Sequence, residues 1–346
     1  MKFATLPHPE GHLDGRLILV SRQLQHGVDA SDIAPNLLYA VQHWTQVAPA
    51  LQQRYDALNA SQLPDAFSLS TATFQAPLPR SPQWCDASAF LNHGRLMERA
   101  FNTAPIPDFD TIPVMYQGAS DDFLGPQDDV LLPSEADGID FEGEFGVVLD
   151  NVPMATPPEQ ALAHVRLLVQ INDWSLRALG PREMRSGFGF LQAKPSSSFA
   201  PVAITPDELG EHWRDGRVQL PLLVHWKGQW FGHPHGGEMN FGFHQLIAHA
   251  ARTRRLSAGT IIGSGTVSNS AREAGSSCIA ERRVIEMLDH GSPRTGFMQF
   301  GDRVRMEARW PGIQGHDQPG PFGAIEQQVV AYASAPPCPD STNRHF

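Results

Sequence analysis

The sequence has no long apolar run and few basic residues. Its apolar runs, such as LILV at 17–20 and LLV at 167–169, are far shorter than a segment that crosses a bilayer. Lys and Arg total 26 against 37 Asp and Glu, and the formal charge of -11 repels nucleic acid and anionic membranes. Because the N-terminus also lacks a secretory pattern, we expect a cytoplasmic protein that binds neither nucleic acid nor membranes.

Cysteine and several familiar motifs are scarce or missing. The three cysteines lie far apart without CxxC spacing, which favours reduced thiols over disulfides or zinc: Cys85, Cys278 and Cys338. No GxGxxG, GxxxxGK[ST] or GxSxG pattern occurs, so nucleotide binding and a serine-hydrolase elbow find no support. The segment GHPHGGE places His233, His235 and Glu238 where a transition metal could bind, but a Gly-rich hairpin turn is the commoner explanation.

Turn-forming residues are abundant. Thirty glycines and 29 prolines spread along the chain predict many short strands, and helical spacing occurs in only a few segments. These patterns indicate a mixed α/β, β-rich fold. The Pro-rich stretch FQAPLPRSPQW predicts a boundary between a small N-terminal domain at 1–80 and a larger domain at 81–332, and the polar ending predicts a flexible tail at 333–346.

The segment DGIDFEGEFGVVL, residues 137–149, has two contrasting faces. Phe141 and Phe145 alternate as in a half-buried strand, and the opposite parity carries Asp140, Glu142 and Glu144. Three like charges so close together repel. A solvated strand face explains such a pattern in most proteins, whereas a bound cation would remove the repulsion and would require further oxygen ligands.

Two distant acids are candidates for those further ligands. Asp173 continues the buried parity of VRLLVQIND, although Asp is also common at strand ends. Asp86 stands where the helix of DASAFLNHGRLMERAF would start, so a helix cap is the simpler explanation. His93 lies on the apolar stripe of the same helix, as a hydrogen-bonded core histidine or a functional imidazole would.

The order of these motifs resembles the fumarylacetoacetase family, in its bacterial form. The resemblance spans roughly residues 80–330 and rests on Asp86 with His93, Glu142-x-Glu144, NDWSLR at 172–177, Lys194, GSGTVS at 263–268, and Glu281. It implies a mixed β-sandwich roll, preceded by a small N-terminal β-barrel-like domain, and a homodimer.

The resemblance also implies a role for each matched residue. One Mg²⁺ or Ca²⁺ per subunit would be held by Asp86, Glu142, Glu144 and Asp173. His93 would be the general base, oriented by Glu281 or, because the spacing here differs by about one residue from animal enzymes, by Glu273. Arg177 and Lys194 would neutralise oxyanion charge. Substrate contacts would come from Tyr116, Gly265 and Thr266. Asp140 matches no family ligand and is expected to remain peripheral.

The implied reaction is hydrolysis of a carbon–carbon bond in a β-diketo acid. Fumarylacetoacetate would give fumarate and acetoacetate, as in tyrosine and phenylalanine breakdown. Gly180, Met184 and Asn102 replace residues that hold the acid tail of that substrate in animal enzymes. An acylpyruvate or fumarylpyruvate hydrolase and an oxaloacetate decarboxylase therefore stay open as alternatives. A glycosidase would not need a third and fourth acid, and a non-catalytic Ca²⁺-binding protein would not need His93.

Overall fold

The structure is a computed structural model, and it describes residues 1–101, 104–312 and 318–333 of the 346-residue chain. The strands of these residues are β1 (Lys2–Leu6), β2 (Arg16–Val20), β3 (His26–Asp29), β4 (Phe67–Ser68), β5 (Trp84–Ala87), β6 (Met115–Gly118), β7 (Val130–Leu132), β8 (Ile139–Asp140), β9 (Gly143–Leu149), β10 (Val165–Asn172), β11 (Ser175–Leu176), β12 (Ser198–Phe199), β13 (Ala203–Ile204), β14 (Trp213–Arg214), β15 (Arg217–Val218), β16 (Leu222–Trp226), β17 (Gln229–Gly232), β18 (Ile261–Gly263), β19 (Arg303–Trp310), β20 (Gln318–Pro319) and β21 (Ile325–Ala331). The helices are α1 (Leu37–Gln42), α2 (Trp44–Asn59), α3 (Leu91–Phe101), α4 (Pro158–Ala161), α5 (Gly180–Ser186), α6 (Phe243–Ala250) and α7 (Ile279–His290).

The larger sheet runs in the order β4, β3, β2, β1, β13, β10, β9, β18, β5, β6, and β12 pairs with the end of β10. Neighbours are antiparallel except β18 and β5, which are parallel. The second sheet has the order β17, β16, β19, β21, β7, with β20 on β19. Two short ribbons, β8 with β11 and β14 with β15, lie outside these two sheets. The expected mixed, β-rich fold is therefore confirmed.

The larger sheet is covered on both faces. Phe145 of β9 shares a core with Leu222 and Met306 of the second sheet, and its ring centroid lies 6.2 Å from that of Phe322 in the turn between β20 and β21. On the other face, Val148 shares a core with Leu51 and Tyr55 of α2. Every residue of β9 is consequently buried, as is usual for a strand between two layers. The half-buried strand expected from alternation is wrong, because the acidic face of this segment is also enclosed.

The N-terminal strands do not form a barrel. Strands β1 to β4 are one end of the larger sheet, and β1 pairs directly with β13, Lys2 opposite Ile204 and Phe3 opposite Ala203. The strand order is an open path among the described residues, so the expected β-barrel-like N-terminal domain is not found. The backbone N–H and C=O groups along this edge of β1 pair with β13, so they do not need the pairing that closure of a barrel would provide.

The helix start expected at Asp86 differs from the structure. Asp86 lies in β5 and not at a helix start, so its interpretation as a cap is wrong; α3 begins five residues later. Asn102 and positions 334–346 of the expected tail lie outside the described residues. Among those that are described, no helix is long and apolar enough to span a membrane; α2, the longest, has 16 residues.

Candidate metal centre and active site

Neighbouring strands bring the predicted acids together. Glu144 on β9 is paired with Ile171 on β10, two residues before Asp173. Asp86 lies on β5, which is separated from β9 only by β18. At that intervening strand, Gly263 has no side chain; a Cβ there would lie 2.4 Å from Oδ1 of Asp86. The glycine therefore leaves the space that the Asp86 carboxylate occupies.

Asp86, Glu144 and Asp173 form a buried all-oxygen group. One carboxylate oxygen from each lies within 4.8 Å of the others, and the three residues are 5%, 0% and 0% exposed. Neither oxygen of Glu144 accepts a hydrogen bond from the described residues. Burial, followed by the charges of Asp86 and Asp173, raises the pKa of Glu144 well above its usual value. Burial and Asp173 raise the pKa of Asp86 to about 8.

Glu142, the fourth predicted ligand, is neutralised by the chain itself. Nη2 of Arg177 donates to its Oε1 at 2.5 Å, Nζ of Lys194 donates to its Oε2, and Ser175 Oγ donates to the same Oε2 at 3.2 Å. Burial opposes ionisation of Glu142, but Arg177 and Lys194 outweigh it and lower the pKa of this carboxyl. Glu142 is not part of the all-oxygen group; its carboxylate lies with His93 and Cys278.

Lys194 links Glu142 to the all-oxygen group. Its Nζ also donates to Oδ2 of Asp173 at 2.6 Å, and the opposing charges of Asp173 and Glu142 raise its pKa against the effect of burial. Asp173 further accepts from Tyr116 Oη at 2.5 Å and from Ser197 Oγ at 2.6 Å.

His93 and Glu281 form a hydrogen-bonded pair across two helices. His93 on α3 contacts Oε2 of Glu281 on α7 through Nδ1 at 2.9 Å. Glu281 is fully buried, whereas the alternative Glu273 lies exposed in a 3₁₀ turn. The structure therefore pairs His93 with Glu281 and leaves Glu273 apart.

Asp140 is not peripheral, and that expectation is wrong. It is fully buried, and its Oδ2 accepts from Nε of Arg177 at 2.8 Å. Its two oxygens also accept the backbone N–H groups of Ile279 and Ala280, at the start of α7. Burial raises the pKa of Asp140, and Arg177 opposes that rise. One carboxylate thus fixes both the arginine and the helix that carries Glu281, since a helix N-terminus attracts negative charge.

The glycine of the GSGTVS segment supports the acidic group. Gly265 has φ +76°, and a Cβ there would lie 2.1 Å from the carbonyl oxygen of Ala87. Its N–H donates to Oδ1 of Asp86 at 2.9 Å, so this donor is already engaged. Thr266 beside it is 6% exposed, and its contact with substrate stays a prediction.

Sequence reasoning missed several contributing residues: Ser175, Ser197, Gly263 and Cys278. Serine is too common for its spacing to single it out, and Cys278 carried no CxxC signal. The GHPHGGE loop gives no metal group among the described residues; His235 Nδ1 accepts from Gly237 N at 3.0 Å and Glu238 accepts from Ser270 N.

Comparison with known families matches almost the whole described chain. The family described as "Fumarylacetoacetate (FAA) hydrolase C-terminal" matches residues 83–330. The chain belongs to the fumarylacetoacetate hydrolase family. A second family, "Fumarylacetoacetase N-terminal domain 2", matches residues 1–80.

Relatives within the fumarylacetoacetate hydrolase family differ in their reactions. The chain is 29% identical to the 2,4-didehydro-3-deoxy-L-rhamnonate hydrolase of Sphingomonas sp. (strain SKA58), over 47% of this chain and 54% of that protein. It is 26% identical to the mitochondrial oxaloacetate tautomerase FAHD2B of Bos taurus, over 60% of this chain and 62% of that protein. The matched stretch thus covers less than two thirds of either relative.

Solved structures of the fumarylacetoacetate hydrolase family share the fold. The maleylpyruvate hydrolase of Sphingobium sp. SYK-6, in complex with manganese(II) and pyruvate, superposes with a TM-score of 0.63 at 15% identity, covering 96% of this chain and 99% of that one. At this identity the likeness concerns the fold alone.

Proposed function

We propose that this protein is a metal-dependent hydrolase that cleaves a carbon–carbon bond of a β-diketo acid. The proposal depends on one observation above all: Glu144 is a buried carboxylate with no hydrogen-bond donor among the described residues, and its acidic group is linked to the His93–Glu281 pair through Lys194 and Glu142. The first candidate substrate is fumarylacetoacetate, which would give fumarate and acetoacetate in tyrosine and phenylalanine breakdown. A homodimer and a domain boundary near residue 80 remain part of the proposal.

The donor set fits a hard divalent cation such as Mg²⁺ or Ca²⁺. Asp86, Glu144 and Asp173 offer only oxygen, and the Glu144 oxygens accept no hydrogen bond from the described residues. Glu142, the remaining family ligand, is adjacent but already paired with Arg177 and Lys194. A bound cation would act as a Lewis acid on the oxygens of a diketone.

His93 is suited to remove a proton from water. Its Nδ1 faces Glu281, so a proton on Nδ1 would be donated to that carboxylate and Nε2 would be left free to accept one. Glu281 is fully buried and would stabilise the imidazolium that results. The hydroxide adds to one carbonyl carbon of the substrate.

Arg177 and Lys194 would compensate the negative charge that develops on the attacked carbonyl. Both are anchored by buried carboxylates, Asp140 and Glu142 for the arginine, Glu142 and Asp173 for the lysine. When the carbon–carbon bond breaks, its electron pair stays on the carbon between the two former carbonyls. That carbon then takes a proton, for which His93 is the donor.

An acylpyruvate with an apolar tail is the second candidate substrate. Helix α5 exposes Met184 (66%), and the loop from α5 to Lys194 exposes Phe188 (97%) and Leu191 (83%). Phe190 of this loop contacts the ring of Tyr116, with centroids 5.1 Å apart, so the loop borders the site. Apolar groups exposed beside a site favour a ligand that covers them.

Removal of the metal and of His93 tests the reaction. EDTA should abolish hydrolysis of diketo acids and Mg²⁺ should restore it. His93→Ala should lower kcat by about 10²-fold or more, the scale of general-base catalysis. The matched control is His164→Ala, because His164 also contacts a carboxylate, Asp150, through Nδ1 at 2.7 Å and is similarly enclosed. Chelator-resistant hydrolysis, or equal rates in the two variants, would contradict the proposal.

A substrate panel separates the two candidates. Fumarylacetoacetate and acylpyruvates with alkyl tails are compared by kcat/KM in wild type, Phe188→Ser and the control Met154→Ser, since Met154 is exposed on a different turn. If the apolar loop binds the tail, Phe188→Ser lowers kcat/KM for long alkyl tails only. Uniform effects across the panel would leave fumarylacetoacetate as the better candidate.

A further inference from the structure

Cys278 is a buried thiol for which the proposed reaction has no use. It is the N-cap residue of α7, and its Sγ accepts the backbone N–H of Glu281 at 3.3 Å. The residue is 0% exposed. Serine, threonine and aspartate cap helices better than cysteine, so capping alone does not account for a thiol at this position.

The thiol lies in a second group of ligand atoms. Sγ of Cys278, a ring nitrogen of His93 and a carboxylate oxygen of Glu142 all lie within 4.8 Å of one another. This sulfur, nitrogen and oxygen set differs from the all-oxygen group of Asp86, Glu144 and Asp173. Zinc and cobalt prefer such mixed, softer donors, whereas magnesium and calcium prefer oxygen alone.

The surroundings of the second group resemble those of a zinc site. A histidine that binds zinc usually donates its other ring N–H to a carboxylate. Because Nδ1 of His93 contacts Glu281, a metal bound through Nε2 would give His93 this arrangement. Oε2 of Glu142 accepts from both Lys194 and Ser175, whereas Oε1 accepts only from Arg177 among the described residues and keeps a second lone pair for a metal. His93 lies on α3, Cys278 is the N-cap of α7, and Glu142 directly precedes β9.

Charge also favours a second dication. Among the described residues, the carboxylates of this region outnumber the cationic side chains that pair with them, Arg177 and Lys194. The six carboxylates are Asp86, Asp140, Glu142, Glu144, Asp173 and Glu281. One Mg²⁺ would cancel only half of the formal excess of negative charge. In a buried region that excess attracts further cations strongly.

We propose that His93, Glu142 and Cys278 form a second metal site, specific for soft divalent ions such as Zn²⁺, and that its occupation inhibits the enzyme. Inhibition follows because a metal on His93 removes the base that would accept a proton from water. The inhibitory effect rests on the proposed hydrolase function, whereas metal binding at the site does not.

Cobalt spectroscopy tests binding without any assay of activity. Metal-free protein is saturated with Mg²⁺ and titrated with Co²⁺, and we expect the near-ultraviolet charge-transfer band of a thiolate–cobalt bond. Cys278→Ser, which keeps a capping oxygen, should lose the band, and His93→Ala should shift or weaken it. Cys85→Ser and Cys338→Ser are the controls and should retain it. Absence of the band in wild type, or its loss in Cys85→Ser instead, would overturn the proposed site.

Zinc inhibition tests the regulatory effect. Each enzyme is assayed at saturating Mg²⁺ with and without Zn²⁺. Inhibition is expressed relative to the rate of the same enzyme without zinc, so a variant with a different basal rate can still be compared. The concentration for half inhibition should rise by about 10²-fold in Cys278→Ser, in line with the loss of a ligand contact. Equal inhibition of wild type and Cys278→Ser would mean that zinc acts at the all-oxygen group, and would overturn the inhibitory role. If no diketo acid is hydrolysed at all, the proposed function fails while the cobalt result still decides the site.

Discussion

Glu142 and Glu144 are two residues apart, both are buried, and yet their charges are treated in opposite ways. Glu142 contacts Arg177, Lys194 and Ser175, and the two cations lower its pKa despite burial. Glu144 accepts no hydrogen bond from the described residues, and burial beside Asp86 and Asp173 raises its pKa. The chain therefore supplies its own counter-ions at one position and none at the other.

The difference separates a carboxylate that the chain already compensates from one that lacks any compensating charge of its own. A buried carboxylate held by two cations contributes to the folded state as it stands, whereas a buried carboxylate among like charges destabilises it until a cation or proton arrives. The comparison predicts that the same isosteric change, glutamate to glutamine, has opposite effects on stability at the two positions.

The largest effect is expected at Glu142. In metal-free protein, Glu142→Gln leaves Arg177 and Lys194 with reduced compensation, and the free energy of unfolding should fall by on the order of 3 kcal/mol, the range for breaking a buried ion pair. Urea denaturation in EDTA measures it.

A surface carboxylate provides the control for this change. Asp32→Asn removes the partner of Arg54 in an exposed pair and should cost at most about 1 kcal/mol. If Glu142→Gln lowers the free energy of unfolding no more than Asp32→Asn does, the charges of Arg177 and Lys194 do not need Glu142 for compensation.

Glu144→Gln should have a smaller effect of the opposite sign. The amide removes a repelled charge and can donate to Asp86, so metal-free protein should gain about 1 kcal/mol. With metal present, wild type should be the more stable of the two proteins. A cation at 100 times its Kd stabilises wild type by about 2.7 kcal/mol, and Glu144→Gln should lack most of this stabilisation.

Thermal unfolding with EDTA and with Mg²⁺ measures both parts of the Glu144 prediction. Glu238→Gln serves as the reference, since Glu238 lies in the 3₁₀ turn after β17, and should respond to neither condition. Destabilisation of Glu144→Gln in EDTA would end the contrast between the two glutamates.

The sequence could predict which side chains approach one another, but not how they pair. Asp86, Glu144 and Asp173 form one group and His93 pairs with Glu281, as the order of the motifs led us to expect, and their roles stay a proposal. Which carboxylate meets a cation depends on how side chains from distant segments approach one another. Lys194 is separated from Glu142 by 52 positions, and no spacing rule encodes that contact.

Asp140 and the fold show the same limit. Alternation along residues 137–149 placed three acids on one face, but it could not show that α7 begins against that face and places two N–H groups on Asp140. Local patterns correctly indicated short strands and few helices. The direct pairing of β1 with β13 joins residues about 200 positions apart, which is why a separate N-terminal barrel was expected instead of an extended sheet.

Lys2 extends the comparison to a buried cation away from the metal group, and here the expected effect is smallest. Lys2 is 3% exposed, its Nζ donates to the Arg22 carbonyl at 3.0 Å, and no ion pair to it is found among the described residues. Burial lowers the pKa of Lys2 from 10.5 to about 8. Between these values the unfolded chain binds more protons than the folded one, so this residue makes stability rise with pH.

A Lys2→Met variant isolates that contribution. The difference in the free energy of unfolding between wild type and variant should change by about 1 kcal/mol per pH unit between pH 8 and 10, and should be constant below pH 7, where Lys2 is protonated in both states. Urea denaturation across this range measures it, and groups common to both proteins cancel. A difference that does not vary with pH would mean that a buried charge without an ion pair is tolerated here, and the destabilisation assigned to Glu144 would then need another cause than burial.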